Sequence, residues 1–81
     1  MTEENFNRRK GDLERFLTNK LEQLDPLDKQ RDDIHWVLGI LKKYNFYNLS
    51  QMKGLLARTV VDSLELDYAI GGMIIEFDNG L

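Results

Sequence analysis

Apolar side chains recur at intervals of three and four residues through most of this chain, which is the period of an α-helix. The first such segment runs from about Thr2 to Leu24 and has its regular repeat at Leu13, Phe16, Leu17, Leu21 and Leu24. Gly11 interrupts the segment, and glycine lowers helix propensity by about 1 kcal/mol relative to alanine. The sequence therefore allows a helix that starts late, with Asp12 as its cap and residues 1–10 as a frayed arm.

The clearest break in the pattern is the dipeptide Asp25-Pro26. Aspartate is a favourable helix cap, and proline suits the first helical position because its missing N–H would have no partner there. We predict a second helix from this break to about Tyr44. Its apolar residues are Leu27, Ile34, Val37, Leu38, Leu41 and Tyr44, with Trp36 and Ile40 beside them. An apolar arc this wide is typical of a central helix that packs against two neighbours.

Residues 44–48 break the helical period and predict a tight corner. Asn48 or Ser50 would cap a third helix from about Leu49 to Ser63. Its apolar positions are Leu49, Met52, Leu55, Leu56 and Val60, followed by Leu64.

The last segment, Leu64 to Leu81, has two interpretations. As a helix, it would be capped by Asp67 and would end at Asn79-Gly80 in a left-handed turn. As a β-hairpin, it would turn at Gly71-Gly72 and carry like charges opposite each other across the strands. The helix carries two internal glycines, each costing about 1 kcal/mol, but its apolar pattern continues to Leu81.

We therefore predict a single all-α domain over residues 1–81, a small three- to four-helix bundle. The alternative is an α+β fold, in which three helices precede a C-terminal β-hairpin turning at Gly71-Gly72. A chain of 81 residues has no room for a second core.

The composition argues against most catalytic and metal chemistry. The chain has no cysteine and a single histidine, His35, so we expect no catalytic residues, no metal site and no cofactor. Gly71-Gly72 lies in no phosphate-binding motif. The protein is predicted not to be an enzyme.

The first ten residues, MTEENFNRRK, are polar and carry both charges, unlike a secretory signal peptide. No apolar stretch approaches the roughly 20 residues needed to span a bilayer. Together with the missing cysteines, this predicts a cytoplasmic protein with no membrane contact.

Charge is distributed unevenly along the chain, whose net charge is −3. No basic residue follows Arg58, and the acidic residues of this tail are Asp62, Glu65, Asp67, Glu76 and Asp78. Such a tail repels nucleic-acid phosphate and suits a basic protein surface. We predict that these five carboxylates contribute to partner binding.

Four aromatic residues lie in the second half of the predicted second helix and in the corner that follows it. They are Trp36, Tyr44, Phe46 and Tyr47. Tryptophan and tyrosine are favoured at interface hot spots. The aromatic residues and the acidic tail together predict a small acidic module that binds a protein and blocks or regulates it. In size and charge alone, such a module resembles inhibitors, immunity proteins or antitoxins.

Two alternatives remain. The second and third helices could form a nucleic-acid-binding helix-turn-helix, with Gln51, Lys53 and Arg58 on its recognition helix and a hairpin as its wing. The small number of basic residues argues against nucleic acid as the partner. The wide apolar arc of the second helix would also fit a homodimer with a shared core.

Overall fold

Helices form nearly the whole chain in the computed structural model, which describes residues 1–81. There are five α-helices and no strands. They are α1 (Glu3–Gln23), α2 (Gln30–Leu41), α3 (Leu49–Met52), α4 (Leu55–Ser63) and α5 (Tyr68–Asn79), with a 3-10 turn at Phe46–Asn48 before α3. The prediction of an all-α bundle is confirmed, and the α+β alternative is wrong.

Helix α1 begins at Glu3, and the Thr2 hydroxyl caps it by accepting a hydrogen bond from the backbone N–H of Asn5. The predicted late start at Asp12, with a frayed arm over residues 1–10, is therefore wrong. Phe6 is buried in the core, and its burial offsets the cost of the glycine at position 11.

The break at Asp25-Pro26 is real, but α2 starts four residues after it. The Asp25 carboxylate accepts a hydrogen bond from the Leu27 N–H, and the Asp28 carboxylate accepts one from the Gln30 N–H. Two successive aspartate turns thus replace the predicted cap at Asp25. Leu27, expected in the apolar stripe, lies in this connection and is exposed.

The predicted third helix is divided in two by Gly54, whose φ of +95° belongs to the left-handed region that favours glycine. Its predicted cap is also displaced. The Asn45 side chain accepts from the N–H groups of Tyr47 and Asn48, while the Asn48 side chain accepts from the Asn45 N–H. This reciprocal capping box starts the 3-10 turn.

Helix α5 is capped by Asp67, as predicted, through the Ala69 N–H at 2.8 Å. Gly71 lies where α5 packs on α4, and a Cβ at this position would lie at an ordinary contact distance, 3.4 Å, from Cγ1 of Val60. The helix ends at Asn79, but Gly80 has a φ of −83°, so the expected left-handed ending is wrong.

The four longer helices form a ring around the core. Helix α1 packs on α2 and α5, and α4 packs on the same two helices. Consequently α2 and α5 lie at diagonal corners, and their outer faces point in opposite directions. The core residues are Phe6, Leu13, Leu17, Leu21, Ile34, Val37, Leu41, Tyr44, Leu56, Val60, Ile70, Ile74 and Phe77.

Candidate protein-binding surfaces

Tyr44 and Asp78, both predicted to bind a partner, meet in the protein interior and are fully buried. The Tyr44 hydroxyl lies 2.8 Å from Oδ1 of Asp78 and 2.8 Å from the carbonyl oxygen of Met52, either of which can accept its proton. The Leu56 N–H donates to this hydroxyl at 3.1 Å, and the Ala57 N–H donates to Oδ2 of Asp78 at 3.0 Å. The two side chains therefore cap the N-terminus of α4.

This network corrects the prediction that Tyr44 and Asp78 belong to a binding surface. Burial raises the pKa of the Tyr44 hydroxyl above its ordinary value of 10, since the phenolate would be poorly solvated. The role of both side chains is to satisfy helix amides that would otherwise be buried without partners.

The other three predicted aromatic residues do not form one cluster. Trp36 lies on the outer side of α2 and is 53% exposed. Tyr47 is also exposed, and its hydroxyl donates to Oε2 of Glu3 at 2.7 Å, which raises the Tyr47 pKa. Phe46 is half-buried and contacts Tyr47 edge to face. Of these three residues, only Trp36 is exposed on the face of an α-helix.

Four of the five predicted tail carboxylates are exposed, at Asp62, Glu65, Asp67 and Glu76. None of these four carboxylates forms an ion pair. The only ion pair in the protein joins Arg15 and Asp12. Apart from the cap that Asp67 gives to α5, these groups remain available to a cationic partner.

The connection between α4 and α5 is fastened to α2 by two hydrogen bonds. Asp33 accepts from the Glu65 N–H, and the Gln30 side chain accepts from the Asp67 N–H. No group of three His, Asp or Glu residues in the protein is arranged to hold a metal ion.

The outer side of α5 is almost uncharged, although 31% of the chain is charged. No charged residue occurs between Asp67 and Glu76. The exposed residues of α5, which we name the α5 face, are Tyr68, Ala69, Gly72, Met73, Glu76 and Asn79. Tyr68 is 94% exposed and Met73 is 43% exposed. An apolar helix face in so charged a protein is typical of an interaction site.

Helix α4 extends this face on one side. Val60 contacts α5 at Gly71. Because α4 and α5 are antiparallel, the residues that follow these two, Val61 and Gly72, point to the same side of the helix pair. Val61 is 71% exposed. Its side chain therefore borders the α5 face.

A groove between α1 and α5 borders the other side. Its volume is about 250 Å³, and it is lined by Arg9, Asp12, Leu13, Met73, Glu76 and Phe77. Small-molecule pockets usually measure about 300–1,000 Å³, so this groove better suits one anchoring side chain of a protein. Arg9 is held at its edge by donating to the Gly80 carbonyl at 2.9 Å.

Sequence reasoning missed three of these residues, Val61, Tyr68 and Met73. The uncharged run between Asp67 and Glu76 is the signal in the sequence that indicates an apolar surface at Tyr68 and Met73. Periodicity identifies the apolar positions of a helix without showing how many of them neighbouring helices cover.

No family model matches this sequence, and no curated protein or solved structure matches it significantly. None of the helices combines the length and the apolar character that crossing a membrane requires.

Proposed function

We propose that this chain is a small cytoplasmic module that binds a protein partner through the α5 face, and that it blocks or regulates that partner by covering its surface. The observation that carries this proposal is the exposure of Tyr68 and Met73 on a helix face with one charged residue. Burying an aromatic side chain in an interface removes about 150–250 Å² of surface from water.

The partner surface is proposed to be basic around an apolar centre. Four carboxylates are exposed and form no ion pair. They lie on α4, on α5 and on the connection between these helices, at Asp62, Glu65, Asp67 and Glu76. Carboxylates at the rim of an interface mainly accelerate association with a cationic partner and suppress binding to anionic ones. Binding is therefore expected to weaken as salt concentration rises.

The helix-turn-helix alternative has less structural support. Its wing would be the C-terminal hairpin, and those residues form α5. The first amides of α4, the candidate recognition helix, are hydrogen-bonded to Tyr44 and Asp78. Only Arg58 within α4 is basic, whereas DNA-binding proteins usually make several phosphate contacts.

The proposal predicts that Met73→Arg weakens partner binding about 30-fold or more, the effect of losing a hot-spot side chain. A photoreactive amino acid placed at Tyr68 would first identify the partner by covalent capture. Its affinity for the purified wild-type and variant chains would then be measured by calorimetry.

Thr18→Arg is the matched control, because Thr18 is exposed on α1 and the substitution adds the same charge. Equal affinities of the wild type and both variants would refute the α5 face as the binding site. Capture from position 18 but not from position 68 would refute it as well.

A further inference from the structure

The outer side of α2 carries four exposed residues in one stripe, Asp32, Trp36, Gly39 and Lys43. At 3.6 residues per turn they lie within an arc of about 60°. Backbone N–H groups of Lys42 and Lys43 donate to carbonyls of α2, which carries the helical turn past Leu41. The stripe therefore continues to Lys43.

Two of these residues have no evident role within a single chain. Trp36 leaves about half of the largest side chain in the protein exposed. Gly39 lies inside a helix, where glycine is unfavourable, and a Cβ at this position would meet nothing within 4 Å. The fold requires neither an exposed tryptophan nor a glycine here.

The spacing of four, three and four residues is the same when the stripe is read in either direction. A second copy of α2, packed antiparallel, therefore places Gly39 opposite Trp36 and Lys43 opposite Asp32. Helices pack well where a large side chain on one faces a small residue on the other. A parallel copy would instead bring like charges together.

We propose that the chain forms a homodimer through this stripe, with α2 of one copy antiparallel to α2 of the other about a two-fold axis. Each indole ring of Trp36 fills the space left by Gly39 of the second copy, and each Asp32 pairs with Lys43 of the second copy. Such an interface is isologous, since both copies use the same residues.

The proposed dimer is weak. Helix α2 has 12 residues, which gives a contact about 18 Å long. One large side chain from each copy buries less than the roughly 1,200–2,000 Å² of stable interfaces. The equilibrium should therefore depend on concentration. The proposed dimer leaves the α5 face exposed, because α2 and α5 lie at diagonal corners of the bundle.

A charge-exchange experiment tests the pairing of Asp32 with Lys43. Asp32→Lys alone and Lys43→Asp alone should each weaken dimerisation about tenfold, because both charged layers change from opposite to like charge. The double variant, and an equimolar mixture of the two single variants, should recover the wild-type affinity. Sedimentation velocity over a range of concentrations provides the dissociation constants.

Trp36 is the only tryptophan, so its fluorescence reports on this surface alone. Its emission should shift to shorter wavelength as the wild-type concentration rises. The equimolar mixture of the two single variants should show the same shift, whereas each single variant alone should show less of it. A monomer at every concentration would overturn the proposal. So would a dimer that is insensitive to the charge changes, or one whose formation leaves Trp36 emission unchanged.

The Gly39→Ala variant distinguishes an effect on the folding stability of the chain from an effect on its dimerisation. The variant should melt about 4–8 °C higher in dilute solution, because alanine favours the helix. Its dimer should be about threefold weaker or more, because the methyl group occupies the space of the indole ring.

Gly72→Ala is the control, since Gly72 is also exposed within a helix and has free space around it. It should raise the melting temperature similarly while leaving dimerisation unchanged. Equal dimerisation of both variants and the wild type would contradict the proposed contact at Gly39.

Discussion

Replacement of Asp78 with alanine should lower the free energy of unfolding by about 2–4 kcal/mol. The substitution leaves the buried Ala57 N–H without an acceptor and removes one acceptor from the Tyr44 hydroxyl. A domain of this size has a total stability of about 4–12 kcal/mol. The loss should lower the melting temperature by about 10–25 °C in a thermal unfolding experiment.

Asp62→Ala provides the matched control for this prediction. Both residues belong to the acidic tail, and both substitutions remove one carboxylate, but Asp62 is exposed and forms no hydrogen bond from its side chain. Its replacement should change stability by no more than about 0.5 kcal/mol. Similar small effects at Asp62 and Asp78 would show that Asp78 does not cap α4 in the core.

Tyr44→Phe examines the same network from its other side. It should also be destabilising, because the Leu56 N–H loses its acceptor and Oδ1 of Asp78 loses a donor. The double variant should cost less than the sum of the two single variants, since the residues share one network.

Replacement of Phe6 with alanine should cost about 3–5 kcal/mol, the usual loss for a buried phenylalanine. Phe6 is only 1% exposed, and its ring lies 6.4 Å from that of Phe77 between centroids. Because this loss approaches the total stability of a small domain, the variant should be largely unfolded near 37 °C. Circular dichroism during chemical denaturation would measure the effect.

Asn7→Ala is the control for the Phe6 substitution, since Asn7 is the exposed neighbouring residue on the same helix. It should leave stability nearly unchanged. If residues 1–10 were a frayed arm, both substitutions would be equally harmless, and amide hydrogens in the first turns of α1 would exchange rapidly with solvent.

The two proposed surfaces differ in kind and fail independently. The α5 face offers an apolar centre with acidic surroundings to a different protein, whereas the α2 stripe is complementary to itself. A chain that dimerises normally but binds no partner would refute only the first proposal. A monomer that binds a basic partner through Met73 would refute only the second.

Several features were predictable because they depend on residues close in the chain. The helical period, the Asp67 cap and the preference of residues 68–79 for a helix all arise from local spacing and backbone chemistry. Burial then favoured the helix further, because Ile70, Ile74 and Phe77 pack in the core together.

Other features depended on contacts between distant segments. Gly11 suggested a late start for α1, but the helix continues through it because Phe6 is buried against α5. Asp78 and Tyr44 are 34 residues apart, and nothing in their local sequence shows that they would meet. A carboxylate in an acidic tail resembles its exposed neighbours until a helix N-terminus is placed beside it.

The sequence by itself determined the helical class of this protein, its acidic charge and the apolar side of each helix, since these depend on composition and on spacing of three and four residues. Only the tertiary structure decided which apolar residues remain exposed, as at Tyr68 and Met73, and which polar residues become buried, as at Asp78. The physical reason is that burial depends on how the helices are arranged around one another, and residues distant in the chain set that arrangement.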